Sequence, residues 1–181
     1  MRSEAESAGL PEDPSKEGAS GEGRPETKPG GPGPEEKELA PEKASVWIVD
    51  DNTEHINSLL RALKYSAGEG FQFTHYQEGE QAVADFLKLA EEKGQLPAAI
   101  LMDFKLDDRV ENPKYRTGVE VIEELKRIAA EHEIPLPEIA AFSSEKTYAE
   151  QLLAAGASTS LSKIDYMAVV KHLKEMMARK E

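Results

Sequence analysis

The chain has 181 residues, a formal net charge of −13 and no cysteine. The acidic balance argues against a nucleic-acid surface, which wants clustered Lys and Arg, and the missing cysteines exclude a disulfide framework and any thiolate metal site. No apolar run approaches the roughly 18 residues that span a bilayer, and the N-terminus Met1-Arg2-Ser3-Glu4-Ala5-Glu6 lacks the apolar core of a signal peptide, so a cytoplasmic protein without a membrane partner is expected.

Residues 1–43 are rich in Gly, Pro, Glu and Ser, with Leu10 and Leu39 as the only large apolar side chains after Met1. The run Lys28-Pro29-Gly30-Gly31-Pro32-Gly33-Pro34 suits neither a helix nor a strand. So little apolar surface cannot offset the entropy of ordering, and a disordered tail is expected over 1–43. The folded domain is expected over 44–181. Residues 45–49 read as a first strand, and Asn52 or Thr53 caps a helix with Ile56, Leu59, Leu60 and Leu63 as its apolar stripe. Gly68 and Gly70 end it. A second strand covers 71–76, and a helix follows over 80–93 with Val83, Phe86, Leu87, Leu89 and Ala90 inward. The apolar run Ala99-Ile100-Leu101-Met102 reads as a strand buried on both faces and ends at Asp103. A long polar loop leads to Thr117, and Gly118 opens a helix carrying Val119, Val121, Ile122, Leu125, Ile128 and Ala129. Pro135 and Pro137 break the chain before a fourth strand, 139–142. A short helix over 147–155 stops at Gly156, a weak fifth strand covers 158–162, and a last helix carries Tyr166, Val169, Val170, Leu173, Met176 and Met177 at helical spacing. Five strands alternating with five helices imply a parallel sheet covered on both faces.

In an open α/β sheet, ligands bind outside the carboxyl ends of the strands. The first strand delivers Asp50 and Asp51 there, the third Asp103, the fourth Ser143 and Ser144, and the fifth Lys163. Three clustered carboxylates repel one another unless a hard cation lies among them, and Mg²⁺ suits such a site. Together these groups form a phosphoryl-transfer set. The cation offsets phosphoryl charge, a carboxylate can act as nucleophile and become an acyl phosphate, and a hydroxyl and an ammonium can take the remaining oxygens. No glycine-rich strand-to-helix loop is present to bind a nucleotide. His55, His75, His132 and His172 are scattered through polar sequence and read as ordinary exposed residues.

Val49-Asp50-Asp51-Asn52, Leu101-Met102-Asp103-Phe104-Lys105-Leu106, Thr117-Gly118-Val119, Phe142-Ser143-Ser144 and Gly156-Ala157 leading to Leu161-Ser162-Lys163 together resemble the response-regulator receiver domain of two-component signalling. The resemblance covers about 44–181. It implies the flavodoxin-like doubly wound sheet, α/β, in the order 2-1-3-4-5. It implies Asp103 as phosphoacceptor from a histidine kinase or histidine phosphotransfer protein. Asp51, Asp103 and the backbone carbonyl of Lys105 would then ligate Mg²⁺, with Asp50 acting through a metal-bound water. Ser143 and Lys163 would hold the phosphoryl group. A downstream protein target would bind the face made by the fourth helix, fifth strand and fifth helix. No enzymatic activity is expected beyond self-phosphorylation from a phosphodonor and autodephosphorylation.

Three features depart from the family pattern. Ile164 stands where Pro usually follows the lysine, Ser160 stands where an aromatic residue usually reads out activation, and the loop 107–117 is longer than usual. The first two support an alternative, a pseudo-receiver that binds partners without being phosphorylated. The intact set of Asp50, Asp51, Asp103, Ser143 and Lys163 supports the phosphorylated receiver. A metal-dependent phosphohydrolase would want a second carboxylate two residues after Asp103, where Lys105 stands.

Overall fold

The computed structural model describes residues 43–66, 70–106, 111 and 113–179. Except for Lys43, the tail expected over 1–43 lies outside the described residues. So do Gly68, expected to end the first helix, and residues 107–110 and 112 of the polar loop. The elements alternate throughout: β1 (Ala44–Val49), α1 (Thr53–Ser66), β2 (Phe71–Tyr76), α2 (Gly79–Glu92), β3 (Ala99–Met102), α3 (Gly118–Glu131), β4 (Glu138–Phe142), α4 (Lys146–Ala155), β5 (Thr159–Leu161) and α5 (Tyr166–Ala178). The sheet is parallel in the order β2-β1-β3-β4-β5. This is the flavodoxin-like doubly wound architecture that the alternating pattern predicts.

The strands are apolar at successive positions because both faces of the sheet are covered. Trp47, Val49, Ile100, Met102, Ile139 and Ala141 point to one side, where α2, α3 and α4 bring Phe86, Leu125 and Leu152. Their neighbours Val46, Ile48, Leu101, Ala140 and Phe142 point to the other side, against Ile56 and Leu59 of α1 and Val169 and Leu173 of α5. Leu87 and Leu89, expected inward, are only partly buried at the margin of the first cluster. α2 lies one residue earlier than 80–93 because Lys93 takes a left-handed φ of 53° and terminates it. β5 is three residues rather than five. Ser158, expected within it, instead gives both its backbone N–H and its hydroxyl to the Ile139 carbonyl.

The approach to α3 positions the site. Lys105 forms an antiparallel bridge with Thr117, Leu106 N–H donates to the Arg116 carbonyl at 3.0 Å, and Gly118 N–H donates to the Phe104 carbonyl at 2.8 Å. Leu106 and Tyr115 are buried, so the long loop is anchored at its base. Thr117 and Glu120 then form a capping box: the Thr117 hydroxyl accepts from Glu120 N–H, and the Glu120 carboxylate accepts from Thr117 N–H at 2.9 Å. Two otherwise unpaired donors are satisfied this way. At this point the helix backbone passes so near the end of β3 that a Cβ on Gly118 would lie 2.0 Å from the Asp103 carbonyl oxygen and 2.7 Å from Met102 Cγ. Only glycine fits there. Gly118→Ala is expected to destabilise the fold by about 3 kcal/mol or more, since a backbone atom rather than a pliable side chain must move. A urea unfolding curve checks this, and an unchanged midpoint would contradict the close approach.

Candidate functional site

The ends of β1, β3, β4 and β5 bring their polar residues to one edge of the sheet. The strand ladders run on into the site: Asp50 N–H donates to the Tyr76 carbonyl at 3.0 Å, Asp103 N–H to the Val49 carbonyl at 2.9 Å, and Ser143 N–H to the Leu161 carbonyl at 3.2 Å. Asp50, Asp51, Asp103 and Ser143 are all buried, Asp50 with no exposed surface at all. Lys163 reaches in from beyond β5. Its ammonium lies 2.7 Å from Asp50 Oδ2 and 2.6 Å from Asp103 Oδ2, and 5.9 Å from the centre of the Phe142 ring. The other oxygens are held by backbone: Asn52 N–H donates to Asp50 Oδ1 at 2.8 Å and Phe104 N–H to Asp103 Oδ1 at 2.7 Å. Ser143 Oγ accepts from Glu145 N–H at 3.2 Å, which leaves the hydroxyl proton to be donated.

Burial is the main force on the Asp103 carboxyl and pushes its pKa up to about 6. Lys163 pulls against it, and the like charge of Asp50 adds to it. Burial alone would lower the Lys163 pKa, but Asp103 and Asp50 beside the ammonium outweigh it and the pKa is raised. The lysine is therefore a fixed positive charge, and Asp103 is a carboxylate whose ionisation the site resists.

One oxygen or more from each of Asp50, Asp51 and Asp103 lies within 4.8 Å of the others. The Lys163 ammonium lies against two of these acids, and the three carboxylates together present a cluster of oxygen donors. That donor set fits a hard divalent cation, which takes oxygen ligands and keeps several waters. The predicted site residues Asp50, Asp51, Asp103, Ser143 and Lys163 thus come together, and Lys105 lines the same pocket.

The histidines correct the expectation of ordinary exposed residues, because none of the four is fully exposed. His75 Nε2 donates to the Asp50 backbone carbonyl at 2.7 Å, His172 Nε2 lies 3.1 Å from Glu138 Oε1, and the His55 ring sits 5.9 Å from Phe142 and 5.8 Å from Tyr166. Burial lowers the His55 pKa, with Asp50 opposing. Their polar sequence surroundings carried no sign of these contacts, which the topology creates between distant segments. The sequence reading also missed a parallel stack of Phe104 on Tyr148, with centroids 4.3 Å apart. Ser160 is exposed, and Ile164 is 82% exposed.

The Asp103 environment has a consequence for stability. Its folded pKa is about 6, above that of an unfolded carboxyl. Between the two values the folded protein keeps a proton that the unfolded chain has released. The stability contributed by this group is therefore complete below about pH 4 and lost as pH rises through about 6. Asp103→Asn, neutral throughout, is expected to be more stable than the wild type at pH 7.5 without divalent cations, by roughly 1–3 kcal/mol. The difference should close as pH falls toward 4. Denaturant titrations of both proteins across this range check the sign.

No protein-family model matches the chain, and no curated protein matches it. Solved structures do. A CheY-like response regulator receiver domain from Methanospirillum hungatei JF-1 is 18% identical, with a TM-score of 0.56 over 76% of this chain and 96% of its own. A mutant of the receiver domain of the histidine kinase CKI1 from Arabidopsis thaliana is 19% identical, with a TM-score of 0.54 over 73% and 89%. A response regulator from Burkholderia pseudomallei, solved with a phosphorylated aspartic acid, a calcium ion and citrate, is 18% identical, with a TM-score of 0.50 over 77% and 75%. With this sheet order and with a buried acid cluster at the carboxyl ends of β1 and β3, the chain has the fold of response-regulator receiver domains.

Proposed function

We propose that this protein is the phosphoacceptor receiver of a two-component or phosphorelay system, phosphorylated on Asp103 with Mg²⁺ and signalling through protein contacts. The observation that carries the reading is Lys163 lying between Asp50 and Asp103 at 2.7 and 2.6 Å, with Ser143 and Asp51 at the same edge. A dead site has no need of all five. The Burkholderia pseudomallei neighbour carries a phosphorylated aspartic acid and a calcium ion, which supports the same reading here.

In this reading Asp51, Asp103 and the Lys105 carbonyl hold Mg²⁺, and Asp50 acts through a water. A cation held there would offset charge on phosphoryl oxygens and on the acids. The remaining steps belong to the chain's own side chains. Asp103 Oδ2 attacks phosphorus as the bond to the donor's leaving group breaks, and that electron pair leaves with the donor. Lys163, already against Oδ2, transfers its ion pair to a phosphoryl oxygen. Ser143 donates its hydroxyl proton to another. The donor is a histidine kinase or a histidine phosphotransfer protein, and the product is an acyl phosphate recognised by a downstream protein.

Intact-mass spectrometry after incubation with Mg²⁺ and acetyl phosphate tests this. The expected result is a gain of one phosphoryl group, roughly 80 Da, in the wild type and none in Asp103→Asn. A wild type without an adduct, and without beryllofluoride binding, would instead identify a phosphorylation-independent interaction module.

The cation has its own test. Millimolar Mg²⁺ should raise the melting temperature by mass action, and Asp51→Asn should remove most of the rise. An unchanged melting temperature in the wild type would remove the metal from the mechanism.

A further inference from the structure

The pocket over Asp103 has a volume of about 180 Å³, and Tyr148 stands in its wall together with Lys105, Ser143 and Lys163. The pocket is open to solvent and small, so a phosphoryl group seated on Asp103 brings the donor's leaving group against the same wall. That wall includes a fixed aromatic ring. Tyr148 lies flat on Phe104, with planes 3° apart and centroids 4.3 Å apart, and Lys105 Nζ is 5.3 Å from the centre of the Tyr148 ring. Phe104 is itself pinned to the phosphoacceptor: its N–H donates to Asp103 Oδ1 at 2.7 Å and its carbonyl accepts from Gly118 N–H at 2.8 Å. One stack and two hydrogen bonds thus set the position of the Tyr148 ring relative to the carboxylate that reacts. The acid, hydroxyl and ammonium set accounts for phosphoryl binding without any use of this ring.

We propose that Tyr148 is a specificity-determining residue for the phosphodonor, a ring braced by Phe104 that favours a donor whose leaving group is a flat aromatic imidazole over one whose leaving group is an acyl oxygen or ammonia. The proposal rests on Asp103 being the phosphoacceptor. In the favoured transfer the P–N bond to imidazole breaks as the P–O bond to Asp103 forms. The bonding pair leaves with the ring nitrogen, and the proton already carried on the second nitrogen lets imidazole leave neutral. With Phe104 stacked on the ring and Lys105 Nζ over it, it is the edge of Tyr148 that meets that leaving group, and an edge-to-face contact stabilises it. It has no counterpart when the leaving group is ammonia.

The test compares two small donors on the full chain with Mg²⁺, monophosphoimidazole and phosphoramidate, by the rate of adduct formation in intact-mass spectrometry. In Tyr148→Leu, the ratio of the imidazole-donor rate to the phosphoramidate rate is expected to fall about threefold to tenfold relative to wild type. In Tyr148→Phe, which keeps the ring and the stack, the ratio should hold. A ratio unchanged in Tyr148→Leu, whether both rates persist or fall together, overturns the proposal and leaves Tyr148 with a structural role. A ratio that falls equally in Tyr148→Phe overturns it too, because the hydroxyl and not the ring would then be the selecting group. A wild type that gains no phosphoryl group from either donor overturns the phosphoacceptor reading itself, and the proposal with it.

Discussion

A single ammonium between two buried carboxylates governs the chemistry of this sheet edge. Lys163 touches Asp50 and Asp103 at once, and Asp51 adds a third acid beside them. Removing such charges from water is costly, and a buried ion pair repays that cost only with good geometry and with its remaining lone pairs satisfied. Both conditions are partly met, since backbone N–H groups of Asn52 and Phe104 take the outer oxygens. Burial still outweighs the ion pair at Asp103, whose pKa is raised. The site resists its own charge and so favours a partner that brings positive charge in.

This arrangement depends on backbone that is fixed on every side. Parallel pairing of β1 with β3 and of β3 with β4 sets how far each strand projects. The bonds to the Val49, Tyr76 and Leu161 carbonyls carry the ladder past the last strand residues and into the site. The α3 backbone then closes over the Asp103 carbonyl at a distance that only Gly118 allows. The capping box at Thr117 and Glu120 keeps the helix from fraying there. The Lys105–Thr117 bridge and the Leu106–Arg116 hydrogen bond tie together the two backbone segments that flank the site here.

The sheet order and the gathering of Asp50, Asp51, Asp103, Ser143 and Lys163 at one edge were legible because both follow from short-range patterns. Apolar runs ending in acids mark strands whose last side chains meet at one edge, and alternation of strands and helices restricts the topology. Contacts between distant segments were not legible. Nothing around His75 indicates that its ring reaches the Asp50 carbonyl, 25 positions away, or around His55 that it lies between Phe142 and Tyr166. The Phe104–Tyr148 stack likewise joins the segment after β3 to the first turn of α4, whose spacing is known only once β3 and β4 are paired. Gly118 was recognised as the start of a helix, but the reason it must be glycine lies in the space beside it rather than in its own conformation.

Two of the departures from the receiver pattern share one location. Ser160 and Ile164 flank Lys163 on the β5–α5 side, and both are exposed. Neither touches the acids, whose geometry is set by β1 and β3. Ile164 does not prevent Lys163 from reaching both carboxylates, so the proline usual at that place is not needed to aim the lysine. The exposed Ser160 offers no large ring to turn inward. In the proposed function, accepting a phosphoryl group and transmitting its presence would therefore depend on different residues, and a structural response would travel by contacts other than an aromatic switch on β5.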